Sequence, residues 1–124
     1  MVWVGEAWEE REYGITYNVV EPQKKLALEG LGDYFEKRDK ADEPVWAIGT
    51  GKSANPEDAS KVHTFIKSVL KDLANKDLPT RVLYGGSVNP SNAKEFLTAP
   101  DIDGLLVGGA SLEPKSFFEI IKSA

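Results

Sequence analysis

Residues 80–88 read TRVLYGGSV and residues 103–111 read DGLLVGGAS. Each runs apolar, β-branched or aromatic residues into paired glycines and then a small hydroxyl residue. The second stretch begins twenty-three residues after the first, position 103 against position 80. Short apolar runs stopped by glycines read as buried strands ending in tight turns. Asn89-Pro90 opens a helix behind the first strand, carrying Ala93, Phe96 and Leu97. Behind the second, Pro114 opens a helix running to Ala124, with Phe117, Phe118, Ile120 and Ile121 as its buried side. Strand, helix, strand, helix is a repeated βα unit, and it predicts a parallel sheet with right-handed crossovers.

Upstream the same alternation continues. Asn55 caps a helix whose first position suits Pro56, and Glu57 and Asp58 favour the positive end of its dipole. Ala59, Val62, Ile66, Val69, Leu70 and Leu73 then recur on one face. VWVGEA (2–7) reads as a first strand and WEEREYG (8–14) as a polar loop. A further helix is expected within 16–32, ending near Gly30 or Gly32 and either starting or kinking at Pro22, where an interior proline costs about 3 kcal/mol. The charged run EKRDKADE (36–43) stands where the alternation calls for a strand. No linker or charge block divides the chain, so residues 1–124 form one expected domain.

The chain has 124 residues, 41% of them hydrophobic and 28% charged, the balance of an ordinary globular domain. A net charge of -5 argues against nucleic acid or an anionic membrane as partner. There are no cysteines, which removes disulfides and thiolate metal sites and suits a cytoplasmic location. No apolar run approaches the roughly 20 residues of a membrane span, and MVWVGEAWEERE lacks the basic and apolar regions of a signal peptide. Neither a cofactor nor a metal is expected.

Three stretches carry possible chemistry. Gly85-Gly86-Ser87 and Gly108-Gly109-Ala110-Ser111 place bare backbone at strand ends, where N–H groups and a helix N-terminus suit a phosphate. The same glycines also suit tight turns with no ligand. Glu43, before Pro44, is placed to act as a general base if burial tunes it. AIGTGK is then a lid between hinges at Trp46 and at Lys52-Ser53-Ala54. Alternatively Glu43 is an exposed residue of a glycine-rich loop. His63, the only histidine, is expected on the helix surface. Trp3, Trp8 and Tyr13 are read as core or loop packing, and Lys37, Arg38 and Lys40 as a solvated charged segment.

Taken together, EPVWAIGTGKSA (43–54), YGGSVNPSNAKEF (84–96) and DIDGLLVGGASL (101–112) resemble the C-terminal half of triosephosphate isomerase, and VGE with EEREYG resembles the loop after its fifth strand. The resemblance implies four βα units, half of a (βα)8 barrel, from an enzyme that interconverts dihydroxyacetone phosphate and glyceraldehyde 3-phosphate. It makes Glu43 the catalytic base and 44–54 the phosphate-gripping lid. Gly49, Ser87, Gly108 and Gly109 match phosphate-binding positions. Tyr84 and Ser87 match residues that latch the closed lid, of which Ala54 is also a part, and Glu6 matches a partner of the lid tryptophan, Trp46.

The departures are as definite. The family's first four βα units have no counterpart in this chain, nor do the lysine and histidine they supply. Asp42 stands where the family has tyrosine, Trp3 where it has a small cysteine, and Ala7 where it has threonine. A strand at RDKAD would turn Asp39 or Lys40 inward onto an apolar face, which is costly unless paired. Three outcomes follow: a half-barrel that keeps the base and phosphate turns but is weak or inactive alone; an isomerase active once assembled as a homo-oligomer or with a complementary N-terminal half; or a structural scaffold without ligand. The ligand implied for the first two is a phosphorylated triose or a phosphate ion.

Overall fold

The computed structural model describes residues 2–28, 40–42, 54–74 and 79–124. Four strands, β1 (Val2–Val4), β2 (Lys40–Asp42), β3 (Val82–Tyr84) and β4 (Gly104–Leu105), form one parallel sheet in the order β1-β2-β3-β4. Between and after them run α1 (Trp8–Glu12), α2 (Thr16–Leu28), α3 (Pro56–Ala74), α4 (Ala93–Thr98), a 3-10 turn (Gly109–Leu112) and α5 (Pro114–Ile121). This is an α/β architecture of four βα units in chain order, consistent with half of a (βα)8 barrel.

The strands are shorter than the apolar runs that announce them, and their register is level. Val4 pairs with Asp42, Asp42 with Tyr84, and Tyr84 with Leu105. Side chains alternate across a strand, so Lys40 and Val82, paired two residues earlier, share a face with this row. On that face Val4 and Val82 join Val20, Val62, Ile66 and Leu70 in one apolar cluster. Tyr84 joins Ala54, Ala59, Val88, Ala93, Phe96, Ile102 and Ile120 in another. The opposite row is Trp3–Ala41–Leu83–Gly104. Trp3 is 54% exposed there. A Cβ on Gly104 would stand 2.9 Å from Leu83 Cδ2, so glycine makes room for that leucine.

α3 forms as its sequence dictates. Asn55 Oδ1 accepts the Glu57 N–H at 2.9 Å, and Ala59, Val62, Ile66, Val69 and Leu70 are buried along one stripe. α2 starts at Thr16, so of the two expectations for Pro22 a start there falls away and the proline lies inside the helix. Tertiary contacts offset the lost backbone bond. The Gln23 side-chain amide donates to the Gly5 carbonyl and accepts the Gly5 N–H, each at 3.0 Å, and Val20 and Lys24 are fully buried. The expected ending near Gly30 or Gly32 lies outside the described residues.

Four expectations are corrected. WEEREYG is not a loop: Trp8–Glu12 is helical, because Glu10 Oε2 accepts the Ala7 N–H at 2.8 Å, one arm of a capping box. Lys40 is not solvated: it lies in β2 and is buried, as is Asp42. His63 is not on the surface: it has no exposed area, since it falls on the stripe of α3 that faces the sheet. On α5 only Ile120 is buried, while Phe117, Phe118 and Ile121 are exposed. Lys37, Arg38 and Asp39 lie outside the described residues.

Candidate site at the carboxyl edge of the sheet

The level register brings the carboxyl ends of all four strands to one edge, and the described members of the expected site follow three of those ends. Glu6 follows β1 by two residues, Ser87 follows β3 by three, and Gly108 follows β4 by three. Glu43 is the residue after Asp42 in the chain. Glu43, Trp46 and Gly49 lie outside the described residues, as do Lys52 and Ser53.

Tyr84 organises the described part. Its ring is fully buried and stacked on Phe96, with centroids 4.1 Å apart and planes 11° from parallel. Its hydroxyl oxygen accepts the Ala54 N–H at 3.0 Å, joining the end of β3 to the residue before the α3 cap. Burial is the main reason its pKa is raised from 10.0 to about 12, so the phenol stays neutral. A Cβ on Gly86 would lie 2.0 Å from the Tyr84 hydroxyl oxygen. Gly86 is therefore glycine because the tyrosine folds over it, a packing reason independent of any ligand.

Gly108 and Gly109 differ. Both are exposed, and a Cβ on either meets nothing within 4 Å. The Gly108 carbonyl accepts the Ser111 N–H at 2.9 Å and its hydroxyl at 2.6 Å, which starts the 3-10 turn. The backbone of this turn is open to approach. Ser87 is half-buried, and its carbonyl accepts the Asn92 side-chain amide at 3.0 Å. Asn89 Oδ1 takes the Ser91 and Asn92 N–H groups at 2.9 and 3.2 Å, which fixes the turn into α4.

Beyond β1, Glu6 is buried and stands 3.7 Å from Arg11 Nη1, and Arg11 Nη2 donates to Asp58 Oδ2 at 2.7 Å. One guanidinium thus links the β1 exit, α1 and the start of α3. The sequence reading missed this network, because what joins Arg11 to Asp58 is a contact between residues 47 apart in the chain. It also missed a buried polar group under β2, formed by Lys24, Lys40, Asp42 and His63. Burial, followed by the charge of Lys40, lowers the Lys24 pKa from 10.5 to about 7, with Asp42 acting the other way. His63 sits on the shoulder of the α3 stripe, and that shoulder is covered.

Two grooves of about 280 and 420 Å³ are lined by none of the expected site residues. Among the described residues no cluster of three or more acidic, histidine or cysteine side chains is placed to hold a metal ion. None of the described helices is long and apolar enough to cross a membrane.

Comparison with known proteins bears on this edge. A family model described as triosephosphate isomerase matches residues 1–124. The triosephosphate isomerase of Aquifex aeolicus is 58% identical over 121 residues, covering 97% of this chain and 49% of the relative. That of Dictyoglomus turgidum is 51% identical over 123 residues, with 97% and 49% covered. That of Chloroherpeton thalassium is 52% identical over 124 residues, with 98% and 49% covered. The chain spans about half the length of the curated relatives it matches.

Proposed function

The chain belongs to the triosephosphate isomerase family, and on that premise we propose that it is a phosphate-binding half-barrel, carrying the general-base glutamate but slow or inactive as an isomerase on its own. The observation that carries this reading is the exposed Gly108–Gly109 backbone, which follows β4, the strand paired with the β3 that Ser87 follows. In this reading Gly49, Ser87, Gly108 and Gly109 hold the phosphate of a phosphorylated triose. Glu43 takes a proton from the carbon beside the carbonyl, while Trp46 and Glu6 steady the lid and Tyr84 anchors its Ala54 end. A general base without an electrophile at the developing enediolate lacks the electrostatic stabilisation that usually dominates such a step. The lysine and histidine that supply it by resemblance have no counterpart in these 124 residues.

Completion of the barrel is part of the proposal. β1 and β4 are the outer strands of the described sheet. Trp3 on the helix-free face and Phe118 of α5, 59% exposed, are apolar surfaces that a complementary half would cover. The relatives are about twice as long as this chain, so that half has about the same length as this one. A second copy of the chain is the other occupant the assay must distinguish.

The test is turnover of glyceraldehyde 3-phosphate by the purified chain, with Glu43→Gln in parallel, and thermal unfolding in inorganic phosphate. The expected result is negligible turnover in both proteins and a melting temperature that rises with phosphate, an effect removed by Ser87→Asp. No protection at any phosphate concentration would leave a scaffold without ligand. Turnover abolished by Glu43→Gln, together with a dimer in solution, would show that two copies assemble a competent site.

A further inference from the structure

The short helix α1 carries a cation that reaches both the exit of β1 and the start of α3. Glu6, 2% exposed, follows β1, and a carboxylate so buried is costly without a partner. Arg11 comes one turn into α1, where its backbone N–H donates to the Ala7 carbonyl at 3.1 Å. From there Nη1 stands 3.7 Å from Glu6 Oε1, and Nη2 donates to Asp58 Oδ2 at 2.7 Å. A planar guanidinium serves two carboxylates at once, which a lysine ammonium on a flexible stem does not reproduce. Lys61 Nζ also lies 3.6 Å from Asp58 Oδ1, but its side chain is 67% exposed, so solvent screens that pair and the Arg11 contact is the stronger.

Asp58 gives this contact leverage, because it belongs to the first turn of α3. Asn55 Oδ1 accepts the Glu57 N–H at 2.9 Å and the Asn55 carbonyl accepts the Ala59 N–H at 3.0 Å, so residues 55–59 form one hydrogen-bonded turn. Ala54 immediately precedes that turn, is buried, and donates its N–H to the Tyr84 hydroxyl oxygen at 3.0 Å. Arg11 and Glu6 both act electrostatically on the Tyr84 phenol, so the guanidinium and the Ala54 anchor share one region. Ser60 Oγ adds a bond to the Pro100 carbonyl at 2.7 Å. The start of α3 is thus held from α1, from the end of β3 and from the turn after α4.

We propose that Arg11 is a positioning residue: by holding Asp58 against the exit of β1 it sets the start of α3 so that the Ala54 N–H meets the Tyr84 hydroxyl. Without it that hydrogen bond opens while the rest of the fold stays closed. Its effect on phosphate binding rests on the reading above, in which Tyr84 anchors the Ala54 end of the lid, whereas its effect on Ala54 does not.

Amide hydrogen exchange of the full chain, read residue by residue at one pH, tests this. Asp58→Ala leaves Arg11 beside the buried Glu6 and puts a good helix former in α3. In it, protection of the Ala54 amide should fall by about tenfold, a local opening. Protection of Phe96 in α4, and of Leu106, whose N–H donates to the Tyr84 carbonyl, should hold. Glu57→Ala removes the other acid of the same first turn, so it carries the helix-dipole effect without the Arg11 contact, and Ala54 should stay protected. Arg11→Met should lower Ala54 protection to the level of Asp58→Ala, and the two combined should go no lower. Should Arg11→Met fail to fold, the two alanine variants decide alone. Ala54 protection that holds in Asp58→Ala, that falls equally in Glu57→Ala, or that falls only in step with Phe96 would overturn the proposal. Affinity for inorganic phosphate should weaken by about tenfold in Asp58→Ala and hold in Glu57→Ala. An unchanged affinity with Ala54 opened would overturn the link to the phosphate site. If phosphate does not bind the parent chain, the phosphate-site reading fails, and exchange at Ala54 still decides the role of Arg11.

Discussion

Replacing Lys24 by methionine should make the chain more stable and flatten its response to alkali. Lys24 has no exposed surface, and among the described residues its amine donates to the Ile66 carbonyl at 3.5 Å. Burial and then the neighbouring Lys40 lower its pKa from 10.5 to about 7. The unfolded chain keeps the ordinary value. Between about pH 7 and 10.5 the unfolded state therefore holds a proton that the folded state has released, and stability rises with pH. Below about pH 7 both states are charged and the fold bears the whole cost of burying the ammonium. Above 10.5 both are neutral and that cost is gone. The interval from about 7 to 10.5, at 1.36 kcal/mol per pH unit, amounts to on the order of 5 kcal/mol, of which about 2–3 kcal/mol appears between pH 7 and pH 9. Tyr84 sets the upper limit of a clean measurement. Its raised pKa contributes stability that is complete below 10 and lost between 10 and about 12. Urea unfolding followed by the fluorescence of the three tryptophans, from about pH 6.5 to about pH 9.5, reads the slope. Lys24→Met fills a similar volume without the amine and should gain about 2–4 kcal/mol at pH 7. A parent chain of constant stability over this range, or an unchanged slope in Lys24→Met, would refute the reasoning.

Tyr84→Phe keeps the stack on Phe96 but strands the buried Ala54 N–H, and urea unfolding should show a loss of about 1–3 kcal/mol. The same variant should lose the decline in stability between pH 10 and about 12. Gly86→Ala drives a methyl group into the Tyr84 hydroxyl and should cost about 1–3 kcal/mol. Combined with Tyr84→Ala it should cost much less than the sum, and strict additivity in that double-mutant cycle would show that the two do not meet.

What the sequence made legible follows from where each signal is stored. α3 was readable because its cap at Asn55, its Pro56 and its apolar stripe are local. The strands ending at Gly85 and Gly108 were readable for the same reason. α1 was not, because a five-residue polar helix has no stripe, and what holds it is tertiary: Arg11 reaching Glu6 and Asp58. On α5 the periodicity located an apolar side correctly, yet Phe117, Phe118 and Ile121 are exposed. Amphipathicity says which face is apolar and not what covers it. The burial of His63 was missed because its spacing puts it on the shoulder of the apolar stripe, and in the packed structure that shoulder is also covered. Lys40 and Asp42 broke the opposite way. Their charge argued for solvent, but the strands on either side hold β2 in register and carry both residues inside. Of the candidate site, Ser87, Gly108, Gly109 and Glu6 follow the carboxyl ends of their strands, and Glu43, Trp46 and Gly49 lie outside the described residues.

The repeated glycine pairs show how far a sequence repeat carries chemistry. Both follow strands, and the strands pair with each other through Tyr84 and Leu105. Yet the first pair is occupied by its own chain, since the Tyr84 side chain fills the space above Gly86, while the second is open on every side that a Cβ would probe. A substitution at Gly86 therefore perturbs stability through Tyr84, and through Tyr84 the anchor of Ala54. A methyl group added at Gly108 or Gly109 meets no described atom within 4 Å. The repeat supplies two strand ends at one level. What distinguishes them is the residue before the first pair, a tyrosine that turns one glycine turn into a packing device while the other stays exposed.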